Sequence, residues 1–167
     1  MQERRTVAAL TLGTRTVSVL AAAVSVAVVA VDHATKWWAQ RTLADHDIHI
    51  VGTLRLHLVQ NGGGAFGLGS RFSPLFAIAA LTIVLIVFSS GGGFTSRLSQ
   101  VAVGLVLGGA VGNLLDRVLR DGHGFLGGRV VDFIDVQWWP VWNVADMGIS
   151  IGAVLLALTA GRERSPS

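Results

Sequence analysis

Eight aspartates lie between residues 32 and 146 of this 167-residue chain, and three of them close or open an uncharged run. Asp32 follows Thr16–Val31, Asp116 follows Leu98–Leu115, and Asp146 precedes Met147–Gly161. The polar residues beside them keep helical spacing. Asp32 and Lys36 are four apart, on one helix face. Asn113 and Asp116 are three apart, and Asn143 and Asp146 repeat that interval, so two helices each present an Asn and an Asp together. Two aspartates from different helices, brought close in a low dielectric, cannot both be ionised. One keeps its proton, which leaves an acid and a base at neutral pH. Such a pair can activate water without a metal. Taken singly, an Asp at a helix end is also an ordinary cap or an interfacial anchor; the repeated Asn-x-x-Asp is what singles out Asp116 and Asp146.

Other chemistries find little support. There is no cysteine, which excludes disulfides, thiolate metal sites and cysteine nucleophiles. The five histidines, at 33, 46, 49, 57 and 123, share no metal-ligand spacing, so neither a metal nor a cofactor is expected. A net charge of +3 gives no basic face dense enough to track phosphates, and nucleic acid is not an expected partner.

The elements that position these residues are membrane helices. Hydrophobic residues make up 51% of the chain and charged residues only 14%, too few to coat a soluble globule. With Phe72–Ser96, the uncharged runs number four. They lack the polar residue every third or fourth position that a soluble bundle needs. The fold expected is an α-helical integral membrane protein. It has four transmembrane helices, a small extracytoplasmic β-sheet and a mobile loop or short helix. Residues 1–167 form a single membrane domain, with spans at about 16–38, 72–92, 98–116 and 142–161 and outer loops at 39–71 and 117–141. The runs that end at Asp32, Asp116 and Asp146 hold 16, 18 and 15 residues. At about 1.5 Å per residue they reach roughly 24, 27 and 22 Å, short of about 30 Å of hydrocarbon. A full crossing therefore draws each carboxylate into the outer part of the bilayer, where an ionisable group is expensive and usually functional. An apolar N-terminal run behind Arg4 and Arg5 also fits a signal peptide, but it continues past Ala21-Ala22-Ala23 into a patterned polar segment.

An even number of spans puts both termini on one side. Counting Lys and Arg hardly discriminates, with six on the side of the termini and seven on the other. The termini are placed in the cytoplasm because all eight aspartates then face outward. Gly104-xxx-Gly108-xxx-Gly112 forms a flat ridge for close helix packing, expected to bring the two Asn/Asp faces together. Outside the membrane, residues 48–59 alternate in part and suggest a hairpin turning at Gly52-Thr53. Arg129–Val136 offers another strand. The glycines of 61–69 suit a mobile segment or a close approach to substrate. Trp37, Trp38, Trp138, Trp139 and Trp142 read as an interfacial aromatic belt.

Together these motifs resemble the lipoprotein signal peptidase family, also called signal peptidase II: bacterial inner-membrane aspartic endopeptidases. Five blocks match in order over nearly the whole chain. Asp32-His-Ala-Thr-Lys36 resembles D-x-x-T-K, and Asn61-Gly-Gly-Gly-Ala-Phe66 resembles N-x-G-A-A-F. Gly108–Arg117 is similar to G-G-A-x-G-N-x-x-D-R. Val130–Phe133 matches V-V-D-F, and Trp142-Asn-Val-Ala-Asp146 is similar to F-N-x-A-D. Gly64 stands where the family often has Ala, and Trp142 where it often has Phe. The resemblance implies that Asp116 and Asp146 are the catalytic pair. It implies substrate-binding or supporting roles for Asp32, Lys36, Asn61, Gly63, Asn113, Arg117, Asp132 and Asn143. It also implies lipid-modified prolipoproteins as substrates, cut just before the diacylglyceryl Cys, in the bacterial cytoplasmic (inner) membrane. The active site is expected near the outer leaflet, membrane lipids are expected partners, and a monomer is expected. The rival classes are a proton-coupled carrier, which four spans without an inverted repeat disfavour, and a membrane scaffold, which needs no carboxylates at that depth.

Overall fold

The computed structural model of the chain describes residues 18–62, 96–122 and 126–160. The expected span 72–92, the glycine segment from Gly63 to 69, His123 and both termini lie outside the described residues. Within them, three helices and three strands follow in the order α1 (Val19–Thr42), β1 (Ile48–Val51), β2 (Leu54–Asn61), α2 (Arg97–Leu119), β3 (Val130–Asp135) and α3 (Val144–Ala160). Helices α1 and α2, of 24 and 23 residues, are long and apolar enough to cross a membrane. Helix α3, at 17 residues, is shorter.

Serines start two of the helices. The Ser18 hydroxyl accepts the Ala21 N–H at 3.1 Å, and that of Ser96 accepts the Ser99 N–H at 3.0 Å, each satisfying a donor the first turn leaves open. Helix α3 starts differently. Asn143 Oδ1 accepts the Asp146 N–H at 3.0 Å, while Asp146 Oδ2 accepts the Asn143 N–H at 3.2 Å. This reciprocal cap is why the helix starts at Val144 rather than at residue 142.

Helix α2 is central and packs on both α1 and α3. A methyl at Gly104 would lie 2.6 Å from the Ala21 carbonyl, and one at Gly108 would lie 2.7 Å from that of Ser25. The glycine ridge therefore seats α2 on α1, not on the last helix as the sequence suggests. Gly109, one residue around the helix, makes the close approach to α3 at Ala145 and Ile149.

The strands form one antiparallel sheet in the order β1-β2-β3. Its hairpin turns at Gly52, whose φ of 56° suits a residue without Cβ. Phe133 of β3 packs with Ala39 and Leu43 at the end of α1, which fixes the sheet against the helices. Gly128 brings the chain under the end of α2: its N–H donates to the Arg117 carbonyl at 3.1 Å, and a side chain there would strike the carbonyls of Asp116, Arg117 and the cap residue Arg120. As a result β3 begins directly beside Asp116.

Candidate active site

Every described residue expected at the site converges where α1, α2, β3 and the start of α3 meet. Asp32, Lys36, Asn143 and Asp116 are almost entirely buried, as are Asp132 and Arg117. Lys36 is the hub of one half. Its Nζ lies 2.7 Å from Asp32 Oδ2 and 2.8 Å from Asp116 Oδ2, and it donates to Asn113 Oδ1 at 3.1 Å. The ammonium is thereby shared among two carboxylates and an amide oxygen. Asp32 Oδ1 accepts the Ala145 N–H at 2.9 Å, tying α1 to the first turn of α3. Asp116 is held from both sides. Arg120 Nε meets its Oδ1 at 2.6 Å, and Oδ2 takes the Val131 N–H at 3.3 Å in addition to Lys36. Arg120 also donates to Gln40 Oε1 at 2.7 Å.

The other half is built from amides. Asn143 Nδ2 donates to Asp132 Oδ1 at 2.6 Å and to Asn113 Oδ1 at 3.2 Å. Asn61 Nδ2 donates to Asp132 Oδ2 at 2.9 Å. Asn113 Nδ2 donates to Asp146 Oδ1 at 2.8 Å, and the Asn143 N–H covers Oδ2. Asn143 thus bridges Asp132 and Asp146, one through its side chain and the other through its backbone. Burial pushes the Asp132 carboxyl up to about 7, and the negative charge of Asp146 adds to this. The amides of Asn61 and Asn143 and the charge of Lys36 act in the opposite direction. Arg117 is close enough to feel the charges of Asp132, Asp116 and Asp146.

This placement differs from the sequence expectation in one respect. Asp116 and Asp146 belong to one network, but Lys36 and Asn113 link them, and both oxygens of Asp116 carry a cation. The carboxylate joined to Asp146 through a single bridging residue is Asp132. Spacing could not show this, because a strand residue has no helical partner to mark it. Sequence reasoning also missed Arg120, although Asp116 and Arg120 stand at the same four-residue interval as Asp32 and Lys36. Gly63 lies outside the described residues.

A family profile for signal peptidase (SPase) II matches residues 24–161. The chain belongs to the signal peptidase II family. The protein is accordingly a membrane hydrolase of the aspartic endopeptidase class. The lipoprotein signal peptidase of Mycobacterium avium is 39% identical over 137 residues, which cover 81% of this chain and 75% of that protein. That of Rhodococcus jostii is 46% identical over 103 residues, 62% of this chain and 52% of its own length. A bacterial membrane enzyme solved by the in meso method superposes with a TM-score of 0.68 at 28% identity, covering 87% of this chain and 89% of that one.

Proposed function

We propose that this signal peptidase II removes the signal peptide of diacylglyceryl-modified prolipoproteins, cutting just before the lipidated Cys, and that Asp132 and Asp146 activate the attacking water. One observation carries the choice of pair. Of the four carboxylates at the site, Asp32 and Asp116 are ion-paired to cations, whereas Asp132 and Asp146 are held by neutral amide donors. A carboxylate already holding Lys36, Arg120 and the Val131 N–H has most of its acceptor sites taken. Amide donors cover the oxygens of the second pair, with Arg117 near enough to feel both charges, and sharing one proton lets the pair avoid two adjacent charges. Asp132, with its carboxyl pushed up to about 7, holds that proton. Asp146 takes a proton from water as the water attacks the scissile carbonyl. Asp132 then donates a hydrogen bond to the developing oxyanion and its proton to the leaving amine.

In this reading Asp32, Lys36, Asn61, Asn113, Arg117, Asp116 and Asn143 position the pair. Both termini are cytoplasmic, the site lies near the outer leaflet of the inner membrane, and the acyl chains stay in lipid beside the helices. The enzyme works as a monomer with no cofactor. The test is cleavage of a diacylglyceryl prolipoprotein by purified protein in detergent, with Asp132→Asn, Asp146→Asn and Asp116→Asn compared at equal folded concentration. The first two are expected to abolish turnover while folded Asp116→Asn retains some. An active Asp132→Asn with a dead, well-folded Asp116→Asn would return the chemistry to Asp116 and Asp146.

A further inference from the structure

We infer that the Trp142 indole N–H is a substrate-binding donor that holds a carbonyl oxygen of the substrate beside the carboxylate pair. The inference rests on the peptidase reading above. Trp142 and Ile134 exchange backbone hydrogen bonds at 3.1 and 2.9 Å, and the Trp142 carbonyl also accepts the Phe133 N–H at 2.9 Å, so Trp142 is bridged to Ile134 and lies opposite it. Ile134 lies two residues beyond Asp132 on β3. The extra residue of the β2–β3 irregularity falls on β2, between Leu56 and Val59, so β3 keeps its alternation. Asp132, Ile134 and Trp142 therefore share a face. The next residue, Asn143, is the bridge between Asp132 and Asp146.

On that face the Trp142 ring is only part-buried, yet its Nε1 is buried and meets no acceptor among the described residues. A donor removed from water without a partner is a standing cost to the fold, and native proteins keep few of them. Phenylalanine, which the family often has here, fills the same space without that cost. The other tryptophans are different. Trp37, Trp138 and Trp139 are 56%, 74% and 55% exposed, and Trp38, edge-on to Phe133, is 38% exposed, as interfacial side chains are. Trp142 turns its polar atom inward beside the site, and the acceptor that suits it is one that arrives with substrate. A lipidated prolipoprotein brings two kinds of carbonyl: the esters of its diacylglyceryl group and the peptide carbonyls flanking the cut.

The experiment compares wild type with Trp142→Phe on two prolipoproteins, one with the natural diacylglyceryl Cys and one with a dialkyl ether in its place. Trp142→Phe is expected to raise KM on the natural substrate about three- to tenfold, the worth of one ordinary hydrogen bond. Its kcat and pH profile are expected to match wild type, because the dyad is intact. Without substrate its Tm should equal or exceed that of wild type, since an unpartnered buried donor has been removed. If the acceptor is an ester, the ether substrate raises KM for wild type and not for Trp142→Phe. If it is a peptide carbonyl, Trp142→Phe is impaired equally on both substrates. An unchanged KM on both substrates would overturn the inference. So would a lower Tm without substrate, which would mean that the fold already uses the donor. Failure of wild type to cleave either substrate would instead overturn the peptidase reading itself.

Discussion

The two halves of the site bury the same kind of group and neutralise it in different ways. On the α1/α2 side, Asp32 and Asp116 face Lys36 and Arg120, and two negative charges meet two positive ones. On the β3/α3 side, Asp132 and Asp146 face Asn61, Asn113 and Asn143. Amides orient a carboxylate but do not cancel its charge. Taking an ion from water costs several kcal/mol, which a good ion pair with further hydrogen bonds offsets. The cation-bound half is therefore a fixed scaffold of ion pairs. The amide-bound half is left to adjust by protonation, which is the property an acid–base pair needs. One buried cluster thus contains both a rigid frame and a titrating pair.

The largest expected effect tests that division directly. Asp132→Asn or Asp146→Asn leaves one carboxyl to act as both acid and base, and turnover is expected to fall about a thousandfold or more. Both variants should fold at a modest cost in stability, because the size is kept while one of the two accepting oxygens becomes an NH2 group facing a donor. Asp116→Asn should cost more stability, and the protein that remains folded should still cleave. Turnover of a diacylglyceryl substrate, normalised to folded protein, separates the two. Substantial cleavage by a folded Asp146→Asn variant would end the acid–base account.

Lys36→Met probes the scaffold half. It removes the ammonium that serves Asp32, Asp116 and Asn113, leaving buried carboxylates without their counter-ion. Such losses run to about 3–5 kcal/mol. Thermal unfolding in detergent should show a large drop, and a Tm within a degree or two of wild type would mean that the ion pairs contribute little.

Much of this was legible in the sequence, and the part that was not has a clear cause. Charge-free runs marked α1, α2 and α3, and the Gly52 turn marked the hairpin, because membrane insertion and tight turns leave signals within a few residues. Helical spacing likewise picked out Asp32 with Lys36, and Asn143 with Asp146. Yet an Asn-x-x-Asp interval says only that two side chains share a face. In α3 it forms a reciprocal cap, whereas in α2 its Asp sits between two cations. Which helix the glycine ridge touches, and that β3 carries Asp132 to Asp146, are long-range facts. They depend on Gly109 and Gly128 as much as on Gly104 and Gly108.

The amide-bound half should also reveal itself through pH. Because the Asp132 carboxyl is pushed up to about 7, activity should decline as pH rises through that value and the shared proton is lost. The same shift sets the sign for stability. Between about 4 and 7 the folded chain holds a proton that the unfolded chain has released, so this group's contribution to stability falls as pH rises across that window. Asn61 favours the ionised form through its 2.9 Å bond. Asn61→Leu should therefore move the alkaline limb of kcat/KM to higher pH. A limb that moves downward, or that is identical in both proteins, would show that it does not report Asp132.

The smallest effect is expected on the sheet, where carboxylates are again bound to cations but Asp47 is open to solvent. Asp47 lies 2.9 Å from Arg55 and 2.7 Å from His57, and Arg55 also meets Asp135 at 2.7 Å. The His57 hydrogen bond holds the Asp47 carboxyl below its usual range, against a small desolvation effect, with the charges of His57 and Arg55 acting in the same sense as the bond. The part-exposed Asp47 end of this cluster is screened by solvent and salt and contributes little. Asp47→Asn should keep turnover within about twofold of wild type and move Tm by no more than about 2 °C at neutral pH. A depressed carboxylate stabilises above its unfolded value and loses that contribution as pH falls through its folded value. Whatever small advantage wild type holds over Asp47→Asn should therefore vanish in acid, once Asp47 is protonated, and shrink in high salt. A large loss of turnover with Tm unchanged would show that this outer cluster handles substrate, and the contrast between a working buried site and an inert exposed one would fail.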